Sequence, residues 1–309
     1  MLLVANGSVF TRNAQTPFIP NGAVAIDGDT IVEVGPECEL KAKYPDAEYV
    51  DAQGNLIMPG LVNCYTHIYS GLARGLAIKG CNPTNFLENL EQQWWKIDDN
   101  LTLAGTKASA YATILDSIRD GVTTIFDHHA SFCEIPGSLF TIKDAAQELG
   151  MRSCLCYEVS DRRSQEKCDQ AIAENAEFAQ WAAKERRDND NHMIAAMPNV
   201  GWCEAMTMLF ENNAKMASKY FDRKLDVLEP GAAADVIVMD YKPFTPLSEE
   251  SIDGHMLFGM MGKNCRTTII NGRVLYKDRE FVGIDEDKIS AWAMAESKKL
   301  WSTLNDRAY

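Results

Sequence analysis

Residues 58–67 read MPGLVNCYTH, and the fold turns on how this stretch is taken. A short apolar run punctuated by Pro59-Gly60 and closing in polar residues has a strand's length and boundary signals, so we read residues 57–62 as a strand.

Upstream, residues 2–51 hold short β-like runs, LLVANGSVF, AVAI and TIVEV, broken by a Gly28-Asp29 turn. Downstream the texture changes to alternation of strand and helix, the signature of βα units. Strands are expected at 122–127, 152–158 and 193–197. Tyr111, Ile114, Leu115 and Ile118 recur at helical spacing before Gly121, and Cys168, Ile172, Ala176, Ala179 and Ala183 mark a second helix. Two more helices are expected near 203–219 and 285–304. Extended texture returns at 234–241 and in TTIINGRVLYKDREF, where Asn271-Gly272 signals a hairpin.

The predicted architecture is α/β, with about four βα units of a partial barrel and a small β-sandwich built from both termini. The divisions fall at 1–57, 58–221 and 222–309. A complete eight-stranded barrel takes ~250 residues and rarely fewer than ~200, which 58–221 does not supply.

With 309 residues, a formal charge of -14 and no basic block, the chain repels phosphate backbones and anionic lipid, so nucleic acid and membrane are not expected partners. Its start, MLLVANGSVF, lacks a positive region before its brief apolar run, and the expectation is a cytoplasmic protein. Nine cysteines without a C-x-x-C pair read as reduced thiols, with Cys154 and Cys156 on one strand face as packing groups.

Strand ends are where barrel chemistry collects. His67, the His128-His129 pair, Asp127, Glu158 and Asp161 fall there, each readable as a ligand or proton-transfer group, or as a capping, packing or solvated residue. Arg74, between Gly71 and Gly75, suits an anionic group of a substrate or a structural ion pair. Trp94-Trp95 suits a pocket wall or core packing.

Residues 58–67, together with LEPGAAAD at 228–235, resemble the stretches by which the amidohydrolase superfamily enters its barrel and returns to its β-sandwich. Residues 69–75, Trp94-Trp95, 127–131 and 254–259 resemble more narrowly the aminohydrolases associated with selenium metabolism. The resemblance implies hydrolysis of a non-peptide C–N bond in a small amine-bearing molecule by a divalent metal, zinc or iron, that lowers the pKa of a bound water. It also implies ligands from two strand-1 histidines, one histidine each on strands 5 and 6, and a strand-8 aspartate.

Tyr65 stands in the first histidine position, which leaves His67 as a vestigial ligand, and nothing after 193–197 corresponds to strands 5 to 8. The expectation is an aminohydrolase relative that is inactive in this truncated form and binds no stoichiometric metal, with Arg74, His128 and His129 as substrate-binding residues. The alternatives are a non-catalytic binding or scaffolding homo-oligomer, whose open strand edges call for a partner, and a deletion product without a role of its own.

Overall fold

The computed structural model describes the chain except residues 198–216, 226, 249–250, 253–254, 256–263 and 307–309. It divides into two compact units, one of Met1–Val62, Ser117–Thr124 and Phe210–Ile284, the other of Asn63–Asp116, Ile125–Leu209 and Asp285–Tyr309.

The first unit is built on a nine-stranded sheet drawn from both ends of the chain. β1 (Leu2–Phe10) and β2 (Phe18–Asp27) pair antiparallel, and β3 (Thr30–Pro36) follows through Gly28, whose φ of 58° favours glycine. β4 (Glu48–Asp51) and β5 (Leu56–Pro59) both lie parallel to β1. Val4, Val24, Ile26, Ile57, Val236 and Ile269 are buried in one core cluster, so residues from both termini share it.

The expected strand at 57–62 is two strands. Gly60 donates its N–H to the Asp235 carbonyl at 3.0 Å, whereas Leu61 donates to the Gly121 carbonyl at 3.0 Å. The backbone therefore changes partners across one peptide, and β6 (Leu61–Thr66) enters a different sheet from β5. A Cβ at Gly60 would lie 2.2 Å from the Thr123 methyl, which accounts for glycine at the junction.

β10 (Val236–Met239) pairs antiparallel with β11 (Cys265–Ile270), and the carboxylate of Asp235 accepts the Asn271 N–H at 2.9 Å and secures the turn between β11 and β12 (Arg273–Lys277). Asn271 and Gly272 have φ of 51° and 76°, as the hairpin signal requires.

The second sheet runs in the order β6, β7 (Val122–His129), β8 (Arg152–Tyr157), β9 (Ile194–Ala196), with β9 parallel to β8. Helices Leu103–Arg119, Ser138–Leu149 and Gln165–Asn189 separate successive strands. Sequence periodicity did not suggest the helix at Ser138–Leu149. It lies between Gly137 and Gly150, both left-handed, and its first turn donates to the buried carboxylate of Glu174 through Gly137 N–H (2.7 Å) and Leu139 N–H (2.8 Å).

The terminal helix Glu286–Asp306 belongs to this second unit, packing Ala293, Leu300 and Leu304 with Leu72, Ile97 and Leu101. Of the helix expected near 203–219, residues 203–216 lie outside the described residues. No helix among the described residues is long and apolar enough to cross a membrane.

Candidate functional site

β6 ends by presenting Tyr65 and His67 on one side, their ring centroids 4.8 Å apart. The imidazole Nδ1 lies 3.0 Å from the His128 carbonyl, which only accepts, so Nδ1 carries the proton. The other nitrogen, Nε2, therefore accepts from the Tyr65 hydroxyl at 2.9 Å. Burial pushes the Tyr65 phenol up, which keeps it protonated and able to donate. The His67 carbonyl is used as well, receiving the Ser70 N–H (3.1 Å) and hydroxyl (2.7 Å) where the chain turns into the 3-10 helix Ile68–Ala73.

A hydrolytic zinc or iron ion needs about three protein ligands and an open position. Here the ring expected as a ligand spends both nitrogens on protein groups, and no group of three or more metal-capable side chains occurs among the described residues. These residues do not fit the metal that the family resemblance implies.

The end of β7 is different. Asp127 and His129 are fully buried, while His128 is half-buried and its ring centroid lies 5.9 Å from that of His67. Asp127 accepts the Ile68 N–H on Oδ1 at 2.6 Å, and its Oδ2 has no partner among the described residues. Burial pushes its carboxyl up to about 8 against that one hydrogen bond. His129 places Nε2 2.9 Å from the Ser131 hydroxyl, leaves Nδ1 without a partner, and is pushed down to about 3 by burial and then by the neighbouring His128 and His67.

Beside them, Arg162 pairs with Asp98, approaches Glu158 at 3.6 Å and is stacked between the rings of Phe132 (4.2 Å) and Trp95 (5.1 Å). Arg163 reaches Asp99 in the same way, its Nε 2.8 Å from Oδ1. Burial raises Asp98 to about 7 even though Arg162 opposes the shift. Sequence reading passed over this double clamp, although the acidic doublet Asp98-Asp99 and the basic doublet Arg162-Arg163 were a usable signal.

A recess of about 390 Å³ is lined by Tyr65, His67, Ser70, Arg74, Trp94 and Thr113. Arg74 is 65% exposed there and paired with Asp116. The structure thus brings Arg74 and Trp94 to the His67 side, and sends His129 into the interior and Trp95 under Arg162. His192 pairs with Asp190 at 2.8 Å, and in the first unit His255 receives the Tyr241 hydroxyl at 2.5 Å. Cys154 and Cys156 are buried with their thiols pushed up, inert packing groups as expected.

The amidohydrolase family model matches residues 56–202, and a model described as an imidazolonepropionase-like composite domain of bacteria matches residues 22–47. The 5′-deoxyadenosine deaminase of Methanococcoides burtonii is 30% identical over 184 residues, 59% of this chain and 39% of that protein. The 5-methylthioadenosine/S-adenosylhomocysteine deaminase of Bacillus cereus (strain AH820) is 26% identical over 192 residues, 62% of this chain and 41% of that protein. The chain spans about two fifths of the length of these curated relatives.

Among solved structures, atrazine chlorohydrolase from Arthrobacter aurescens TC1 complexed with zinc superposes with a TM-score of 0.67 at 16% identity, over 96% of this chain and 100% of that one. An adenosine deaminase from Xanthomonas campestris with bound zinc gives 0.62 at 14%, over 97% and 98%. The fold is therefore a mixed α/β one shared with these solved structures, and the amidohydrolase resemblance read from the sequence is matched by the family model over residues 56–202.

Proposed function

We propose that this chain derives from metal-dependent aminohydrolases of non-peptide C–N bonds and, in its present form, binds a small amine-bearing molecule without hydrolysing it. The observation that carries this reading is the state of His67, whose ring nitrogens are both engaged by Tyr65 and the His128 carbonyl. A ligand must offer a free lone pair, and a lone imidazole does not grip a water-activating ion. The architecture proposed with it is a truncated barrel of four βα units, β6 to β9, over 58–221, with a β-sandwich from 1–57 and 222–309, in a cytoplasmic protein.

The recess at Tyr65, His67, Arg74 and Trp94 is the binding place. Its indole supplies a face for a planar ring, and the Tyr65 oxygen, whose proton goes to His67, accepts from an amine. Arg74 is positioned for an anionic substituent, in exchange with Asp116. His128 borders the site through its carbonyl's hold on His67.

The test is purification with zinc or iron present, followed by metal analysis, an ammonia-release assay and calorimetric titration with 5′-deoxyadenosine and adenosine. The expected result is less than one metal per chain, no ammonia, and heat of binding that is lost in Trp94→Ala. One metal per chain accompanied by ammonia release overturns the reading.

A second reading, self-association, is favoured by one observation. Every residue of β8 is buried, whereas β6, at the sheet's edge, is half-buried along most of its length with Tyr65 45% exposed. An open edge invites strand pairing. Light scattering showing a dimer supports it, and a monomer at micromolar concentration defeats it.

A further inference from the structure

Outside the recess, the second unit holds a polar site that neither the relatives nor the family chemistry assigns. Asp127 and His129 are two apart on β7 and so lie on the same face of the strand. Both are fully buried, and each keeps one polar atom without a partner among the described residues, Oδ2 of Asp127 and Nδ1 of His129. Two such atoms on adjacent same-face positions are rare in a folded interior, where an unpaired polar group costs about 1–3 kcal/mol.

The tautomer follows from the neighbours. The Ser131 hydroxyl donates to the Glu134 carbonyl at 3.3 Å, so the His129 Nε2–H donates to Ser131 Oγ at 2.9 Å, and Nδ1 carries a lone pair. Asp127 Oδ1 already accepts from Ile68. With only lone pairs on Oδ2, both unpartnered atoms would be acceptors; with a proton, Oδ2 becomes the donor that the pair lacks.

We propose that Asp127 and His129 form a closed binding site for one small neutral hydrogen-bonding molecule, water, with Asp127 un-ionised and donating to its oxygen and the His129 Nδ1 accepting one of its hydrogens. Buried water in proteins makes about three such bonds to otherwise unsatisfied groups, and this geometry provides two from side chains. The titration of both groups agrees with it. Burial holds Asp127 up at about 8 and His129 down at about 3, so both are uncharged across the neutral range.

The surrounding groups leave that state undisturbed. Cys156 on β8 has its thiol pushed up to about 12 by burial, and Tyr69 and Tyr157 hold phenols also raised by burial. Asp98, Glu158 and Arg162 are occupied with one another, and His67 and His128, which press His129 toward its neutral form, complete the set. Among the described residues, Asp127 has no cationic partner. Exposing its carboxyl to solvent at pH 7 therefore releases a proton, and opening of these strand ends is a proton-coupled event.

The experiment uses the intact chain at pH 7. Infrared spectroscopy reads the C=O stretch of an un-ionised carboxylic acid, and nuclear magnetic resonance reads the His129 ring and its contact with long-lived water. The expected results are an acid band lost in Asp127→Asn, a neutral His129 down to pH 5, and a water-to-ring cross-peak.

Asn reproduces the donor and acceptor of the neutral acid, so this variant should fold with its melting temperature at pH 7 equal to or above that of the wild type. If it does not fold, ¹³C-labelled aspartate in the wild type gives the same answer through the Asp127 carboxyl shift. A carboxylate signal for Asp127 at pH 7, a protonated His129, or absence of the water contact overturns the proposal.

Discussion

The ends of β6 and β7 are neighbours in one sheet, yet they solve the same problem in opposite ways. His67 is accessible from a recess and has both ring nitrogens satisfied, whereas His129 is sealed inside with one nitrogen left over. Exposure and chemical availability have been exchanged. The imidazole that a ligand reaches has no lone pair to give, and the one with a lone pair is reached only by something as small as water. A polar residue at a strand end thus marks a place where chemistry can sit, and the hydrogen-bond inventory decides whether its lone pairs are on offer.

The strongest way to break this contrast is to remove the clamp beside the buried end. Arg162→Ala leaves Asp98, 3% exposed in its side chain, without its cation, at a cost of about 3–5 kcal/mol. Asp98 is raised to about 7, so urea denaturation should show the larger cost at pH 8 and a smaller one at pH 5, where the carboxyl takes up a proton. An equal cost at both values would mean that Arg162 acts by packing on Trp95 and Phe132 alone.

Linkage sharpens the contrast next. Asp127 has a folded pKa near 8, above its unfolded value, so its contribution is complete below about pH 4 and is lost as the pH rises to 8. His129 has a folded value near 3, below its unfolded one, so its contribution is complete above about pH 6.5 and is lost as the pH falls toward 3. Over the shared range the two slopes cancel. Measured as wild type minus Asp127→Asn, stability should fall by about 1.4 kcal/mol per pH unit through the range between those two Asp127 values. A flat difference curve would place Asp127 among ordinary carboxylates.

At the exposed end the effects are smaller. Tyr65→Phe removes one hydrogen bond to His67 and should cost about 0.5–1.5 kcal/mol, with the His67 Nε2 signal moving in a nitrogen spectrum. Arg74→Ala breaks a pair whose arginine is 65% exposed and should cost about 1 kcal/mol or less by thermal melting. A loss there as large as that of Arg162→Ala would erase the distinction between the two ends.

The sequence was most readable where the physics is local. The Asn271-Gly272 turn and the apolar runs of β7 and β8 depend on near neighbours and appear where expected. The helix Gln165–Asn189 is present too, but the stripe expected on it is not its buried face: Ala171, Glu174, Phe178 and Ala182 are buried, whereas Ile172, Ala176, Ala179 and Ala183 are exposed, because the packing partners and not the local pattern choose the face. The break at Gly60 was hidden because it is made by two partners distant in sequence, Gly121 and Asp235. Tyr65 in a histidine's place could be seen, but its hydroxyl filling the His67 lone pair could not, since that needs the side-chain geometry. Burial of His129 was equally invisible, because a histidine doublet at a strand end gives no sign of which ring turns inward.

The helix Ser138–Leu149 carries a consequence for how this unit assembles. Its opening amides are capped by Glu174, a side chain from another helix more than thirty positions later in the chain. Until that later segment docks, the first turn has only solvent to satisfy it, so the protection of its amides reports that docking. Slow amide exchange at Leu139 then serves as a clock for the arrival of Gln165–Asn189.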